Sequence, residues 1–144
     1  MLNVKVGPAS GLPGRSQWIA FGAEGRVARQ PPGRNNENNW MTGDPCNATT
    51  TWYGLTCASS GDVSDVVELQ LGTNGLAGSL PTELGEMTEM TSNMDLGKNS
   101  ITGSIPTELG GMTGMSSRFS LGSNSLSNAI PTELGGMTGI ESYW

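Results

Sequence analysis

Histidine is absent from the 144 residues. That absence removes Ser-His-Asp and Cys-His nucleophilic catalysis, and it removes zinc held by imidazole. Only two cysteines are present, too few for a structural zinc site, which is built from Cys and His ligands in a closed tetrahedron. No run of about 18 apolar residues occurs, so no segment reads as membrane-spanning. The N-terminal "MLNVKVGPASGLPG" is broken by Lys, Pro and Gly and lacks the apolar core of a secretory signal. Aromatic residues make up only 6% and hydrophobic residues 35%, against 22 glycines. This is lean for a globule filled by large side chains. It suits a solenoid, in which each turn buries a thin apolar strip against the next.

Charge is scarce at 14% and unevenly placed. Residues 1–34 hold five of the seven basic residues (Lys5, Arg15, Arg26, Arg29, Arg34) and one acid, Glu24, for a net +4. Residues 35–144 hold Lys98 and Arg118 against the other twelve acids, for a net −10. An acidic body repels phosphate, so nucleic acid is not an expected partner. The basic charges of the head are scattered among Gly and Pro, and residues 1–34 read as a flexible, disordered leader. Cys46 and Cys57, with ten residues between them in a polar, Thr-rich segment, read as one disulfide. Closing that loop contributes on the order of 3 kcal/mol in the chain-entropy model, and it implies an oxidising, extracellular or cell-surface compartment. The sequon Asn47-Ala48-Thr49 lies inside the loop and marks Asn47 as a glycosylation acceptor.

What the chain does have is repetition. "IPTELGGMTG" begins at Ile105 and again at Ile130, and "LPTELGEMTE" begins at Leu80. Pro81, Pro106 and Pro131 set the period at 25 residues. The apolar columns follow it: Leu69, Met94, Phe119 and Trp144; Leu71, Leu96 and Leu121; Leu76, Ile101 and Leu126; Leu84, Leu109 and Leu134. "LQL", "MDL" and "FSL" each place two apolar side chains on one face of a short strand. Stacked turns then line these strands into a parallel sheet, with the apolar face inward. Gln70, Asp95 and Ser120, between the apolar pairs, and Glu68, Asn93 and Arg118, before them, are expected to face outward. Gly72, Gly97 and Gly122 are expected to end each strand where the backbone bends.

Asn74, Asn99 and Asn124 form a ladder beside the core, read as a structural spine paired to the backbone of neighbouring turns. Gly78 and Gly103 suit a positive φ, and Asn128, which takes that column in the last copy, is the best substitute for glycine there. Each proline starts an extended step, and "TELG" after it is expected to form one short helical turn closed by its glycine.

The pattern L-x-L-x-x-N-x-L-x-G-x-[IL]-P-x-x-L-G resembles the plant-type extracellular leucine-rich repeat. The segment "NNWMTGDPCNATTTWYGLTC" resembles that family's N-terminal cap, matching at Trp40, Cys46, Trp52, Gly54 and Cys57. Together they cover about residues 39–144. The resemblance implies a leucine-rich-repeat solenoid. Its concave face would be a short parallel sheet, its convex side irregular or 3-10 turns, and a disulfide-bonded cap would close the N-terminal end. It also implies a recognition module of the kind found in receptor-like-kinase ectodomains and polygalacturonase inhibitors. The expected organisation is a leader at 1–34, a cap at 35–65, and repeats at 66–144 that stop as a fourth strand begins, without a C-terminal cap.

Three departures from the pattern carry expectations. Met90 to Met94 and Met115 to Phe119 span four positions where Val66 to Leu69 spans three, so a bulge or longer loop is expected before those strands. Methionine fills columns that leucine usually takes and specifies packing less firmly. The family's cap helix is poorly represented, since "SQWIAFGAEGRVARQ" holds two glycines.

No catalytic constellation, metal site or cofactor site emerges. Glu83, Glu108 and Glu133 repeat one surface rung and read as a solvated face, not as an acid/base pair with split environments. The Thr columns (Thr82, Thr107, Thr132; Thr88, Thr113, Thr138) read as turn residues. The outward positions vary from copy to copy while the core does not. Glu68, Gln70 and Thr73, then Asn93, Asp95 and Lys98, then Arg118, Ser120 and Ser123, are therefore the candidate binding residues. A mixed-sign surface of this kind suits a protein, peptide or glycan, and the sequence reads as a non-enzymatic recognition module. A structural or adhesive surface protein without a specific ligand is the alternative. The last turn is expected to expose Leu134, Met137 and Ile140 and to promote self-association through the C-terminal end.

Overall fold

A computed structural model of the chain describes Cys46, residues 54–60 and residues 63–143. The leader at 1–34, Trp40, Asn47, Trp52 and Trp144 lie outside the described residues. The described chain is a coil of short elements. An antiparallel pair, β1 (Leu55–Ser60) and β2 (Val63–Gln70), opens it. Three turns follow: β3 (Ala77–Ser79) and η1 (Thr82–Glu86); β4 (Met94–Asp95), β5 (Ser100–Gly103) and η2 (Thr107–Gly111); β6 (Arg118–Ser120), β7 (Ser125–Leu126) and η3 (Thr132–Gly136). β8 (Ser142–Tyr143) comes last. The strands form a five-stranded sheet in the order β1-β2-β4-β6-β8 and a second sheet, β3-β5-β7, with every pair after β1/β2 parallel.

The apolar columns close the space between these sheets and the three 3-10 turns, η1 to η3. Leu69, Leu71, Met94, Leu96, Leu109, Met112 and Met115 are all 0–1% exposed. Methionine is as deeply buried here as leucine. Each 3-10 turn follows from its proline, whose ring presets an extended entry (φ −75°, −65° and −60° at Pro81, Pro106 and Pro131). The amides of Met87, Met112 and Met137 then close each turn on the carbonyls of Leu84, Leu109 and Leu134, at 3.2, 3.2 and 3.0 Å.

The glycine of "TELG" does not close the turn as expected. Gly85, Gly110 and Gly135 lie inside η1, η2 and η3, which end on methionine. The reason is a neighbour. A Cβ on Gly85 would overlap the backbone carbonyl of Glu108, and one on Gly110 would overlap that of Glu133, while nothing lies within 4 Å of the equivalent position at Gly135. Adjacent turns therefore meet backbone to backbone along the convex ridge.

The extra residue before β4 is absorbed locally. The amides of both Thr91 and Ser92 converge on the Val67 carbonyl, at 3.2 and 3.0 Å, and β4 begins only at Met94. The fourth strand departs from the 25-residue step. Phe119 pairs with Tyr143 instead of Trp144, because the Glu141 amide bonds to the Ser117 carbonyl at 3.1 Å. The last copy thus returns to the three-position spacing of Val66 to Leu69.

The expected apolar end is also corrected. Met137 and Ile140 are 1% and 8% exposed, drawn into the core as the chain turns toward its pairing with β6. Leu134 is half-buried, and the exposed large apolar side chain among the described residues is Ile130, at 54%.

Candidate functional site

The five-stranded sheet presents its outward side chains to a hollow of about 630 Å³. Of the nine candidate binding residues, seven line it: Gln70, Thr73, Asp95, Lys98, Arg118, Ser120 and Ser123. Their alternation with the buried Leu69, Leu71, Met94, Leu96, Phe119 and Leu121 is the pleat at work. Ser120 differs from expectation in being only 4% exposed. It lies on the floor, its Oγ 3.0 Å from where a Cβ on Gly97 would stand.

Gly72, Gly97 and Gly122 complete that lining, a role the sequence reading did not give them. They were expected to supply the bend. The positive φ falls instead one residue later, at Thr73 (56°), Lys98 (55°) and Ser123 (56°). The glycines are there for space, since a Cβ on Gly72 would stand 3.0 Å from the Asp95 carboxylate. Their recurrence in every copy, next to positions that vary, was the available signal. The corner residues are held in the left-handed region by sheet bonds to the next turn: the amides of Thr73 and Lys98 bond to the carbonyls of Gly97 and Gly122, at 2.9 and 2.8 Å. The expected left-handed column at Gly78 (104°), Gly103 (81°) and Asn128 (69°) is present.

Beneath the hollow runs the asparagine ladder. Asn99 Oδ1 accepts from the amides of Asn74 (2.9 Å) and Leu76 (3.0 Å) in the preceding turn. Its Nδ2 donates to the carbonyls of Leu71, Leu96 and Gly97 at 2.9, 2.8 and 3.2 Å. Asn124 repeats the pattern with the Ile101 amide and the carbonyls of Leu96, Leu121 and Gly122. Asn74, the first rung, is 4% exposed, and among the described residues its Nδ2 has no partner. The hollow thus rests on a floor whose backbone is fixed by side chains as well as by the sheet.

Glu68 and Asn93 stand beside the lining. Glu68 accepts from Thr56 Oγ1 (2.7 Å), Gln70 Nε2 (2.7 Å) and Asn93 Nδ2 (2.6 Å). The Thr56 hydrogen bond, then those from Asn93 and Gln70, hold its carboxyl below the usual carboxylate range, against a small opposing push from burial. Among the described residues no group of three or more His, Cys, Asp or Glu is placed to hold a metal ion, and no helix is long and apolar enough to cross a membrane.

At the N-terminal end, Cys46 and Cys57 form a disulfide with Cα atoms 5.7 Å apart. Cys57 lies on β1, so the bridge ties the preceding segment to the first strand pair. Gly54 ends that segment at φ 78°, where its carbonyl accepts the Gln70 amide at 2.6 Å.

Neither a protein-family model nor a curated protein sequence matches the chain. Solved structures do. The BIR3–SERK2 complex from Arabidopsis thaliana is similar at 26% identity and a TM-score of 0.54, over 64% of this chain and 47% of that one. PEPR1–AtPEP1 is similar at 29% identity and a TM-score of 0.62, over 81% of this chain and 16% of that one. The chain is built as a leucine-rich-repeat solenoid of the plant type. This leucine-rich-repeat chain spans about half the length of the first relative and about a sixth of the second. Its repeat consensus, parallel sheet, 3-10 ridge and disulfide-bonded N-terminal end all belong to that build.

Proposed function

We propose that the chain is a non-enzymatic, extracellular recognition module that binds a polypeptide ligand across its concave sheet. The observation that carries this reading is the contrast within each turn. The ridge repeats Thr-Glu-Leu-Gly in every copy, while the hollow changes from Gln70 to Asp95 to Ser120 on one fixed backbone. A rigid floor with variable side chains is what selective hydrogen bonding requires. The similar structures support the choice of ligand class, since BIR3–SERK2 is a complex and PEPR1–AtPEP1 pairs two named components. The disulfide supports the compartment.

Panning a displayed random-peptide library on the immobilised chain, followed by an amide NMR titration with one selected peptide, tests the proposal. Shifts are expected at Gln70, Asp95, Lys98 and Ser120. Shifts confined to the ridge would overturn it. Exposed Ile130 supports a second contact, self-association through the last turn. Sedimentation over a concentration series should then show a larger species that Ile130→Asp removes, and a monomer at every concentration would sink that contact.

A further inference from the structure

The first rung of the asparagine ladder differs from the other two in sequence as well as in bonding. Asn74 is followed by Gly75, whereas Asn99 and Asn124 are each followed by serine. An asparagine loses its side-chain amide when the next backbone nitrogen attacks it. That step requires the amide nitrogen to be free to leave and the attacking nitrogen to be free to approach. A hydrogen bond on either one must break first.

At Asn99 both nitrogens are held. Its Nδ2 donates to the carbonyls of Leu71, Leu96 and Gly97, and the Ser100 amide donates to the Leu76 carbonyl at 2.7 Å. At Asn124, Nδ2 likewise donates to three carbonyls, and Ser125 is paired with Thr102 in the β5/β7 ladder. At Asn74 neither nitrogen is held. Its Nδ2 has no hydrogen-bond partner among the described residues. The Gly75 amide donates to none of them either, although the amides on both sides of it, of Asn74 and Leu76, donate to Asn99 Oδ1. Gly75 is exposed, sits at φ 68°, and has nothing within 4 Å of where a Cβ would stand. No side chain obstructs ring closure there.

We propose that Asn74–Gly75 is a self-modification site at which the folded chain converts its asparagine to aspartate and isoaspartate. The Gly75 nitrogen gives its proton to hydroxide and bonds to Asn74 Cγ. The Cγ–Nδ2 bond then breaks, and Nδ2 takes a proton from water and leaves as ammonia, which closes a succinimide. Water opens the ring: cleavage at Cγ gives aspartate, and cleavage at the Asn74 backbone carbonyl gives isoaspartate. Nothing is oxidised or reduced. Either product sets a carboxylate where the amide was 4% exposed, an unfavourable place for a charge without a partner. Isoaspartate also lengthens by one methylene the chain beside Gly72 and Thr73, which line the hollow.

The experiment incubates the full chain at mildly alkaline pH for several days, native and in urea, and then cleaves it after glutamate. Residues 69–83 and 90–108 come off as separate peptides, and Asn74 is the one asparagine in the first. Chromatography with mass analysis separates the asparagine, aspartate and isoaspartate forms, and an isoaspartyl methyltransferase labels the last. Asn74 should convert in the native chain within about tenfold of its rate in urea. Ser100→Gly gives Asn99 the same following residue and makes the two rungs comparable. In urea the two rungs of that variant should convert alike, and in the native chain Asn99 should be at least about tenfold slower than Asn74. The comparison of native and urea rates in the unaltered chain stands independently of how the variant folds. An Asn74 that keeps its amide in the native chain while losing it in urea would overturn the proposal. Equal native rates at the two rungs of the variant would overturn it as well, since bonding would then not select the site.

Discussion

On the convex ridge the three turns repeat Thr-Glu-Leu-Gly at 82–85, 107–110 and 132–135, whereas on the concave sheet one equivalent position reads Gln70, Asp95 and then Ser120. Both surfaces belong to the same 25-residue unit and stack with the same period. The difference lies in what touches what. Along the ridge, backbone meets backbone: the Glu108 carbonyl occupies the space that a side chain on Gly85 would need, and Glu133 does the same at Gly110. In the hollow, side chains project from a backbone that the sheet and the asparagines already hold, so exchanging them leaves the stack unchanged. Identity between copies therefore marks close packing here, and variation marks positions that packing between turns does not dictate.

The largest expected effect breaks the ridge. Gly110→Ala should cost about 3 kcal/mol in urea unfolding, because the obstructing atom is a main-chain oxygen that cannot swing aside. Gly135→Ala, with nothing within 4 Å, should stay within about 0.5 kcal/mol. Equal costs at the two sites would show that intrinsic turn preference, and not stacking, keeps the glycine.

The asparagine ladder sharpens the comparison from the other side. Asn99→Ala strands the amides of Asn74 and Leu76 and the Leu71 carbonyl, and should cost about 2 to 3 kcal/mol. Asn74→Ala should cost visibly less, since among the described residues its Nδ2 makes no hydrogen bond. Matching losses at the two rungs, measured by the same unfolding experiment, would sink that distinction.

A smaller effect, of opposite sign, is expected at the corners of the hollow. Thr73 is β-branched and sits at φ 56°, a conformation that Asn enters more readily. Thr73→Asn should raise stability by about 0.5 to 1 kcal/mol. A loss would mean that the threonine side chain makes a contact worth more than the strain.

The smallest effect is a pH dependence. Glu68 has its carboxyl held below the unfolded value, so its contribution is complete above the unfolded pKa and is lost as pH falls through the folded one. Stability should decline on acidification below about pH 4.5, and Glu68→Gln should flatten part of that decline. An unchanged acid limb in the variant would show that the cluster with Thr56, Gln70 and Asn93 does not couple to folding.

The repeat was legible because 25-residue spacing, i, i+2 apolar pairs and an invariant Asn are written in one-dimensional order. Leu69, Leu71, Leu96 and Leu109 are buried as the columns require. Two features were less accessible. The second sheet, β3-β5-β7, rests on two- to four-residue strands such as Ala77–Ser79, too short for alternation to stand out. The antiparallel β1/β2 pair had a usable signal, Gly61-Asp62 between two β-rich runs. The register of β8 could not be read at all from column counting, because a hydrogen bond from Glu141 to Ser117 decides it. In the hollow, the outward side chains were identified by their variation, while the glycine floor was not. A residue chosen for the volume it leaves empty resembles one chosen for its dihedral angle until the neighbour is seen.

The asparagine ladder also determines how the molecule would yield to force. Each seam between turns holds sheet bonds such as Leu69 to Asn93 and Leu71 to Asp95, together with the side chain of Asn99 or Asn124, all loaded side by side. Tension along the stack is then carried by one seam after another, as in a chain of links. A seam should fail as a whole, and each failure should release 25 residues, or about 85 Å of slack. The first link differs from the rest, because the Asn74 Nδ2 finds no hydrogen-bond partner among the described residues.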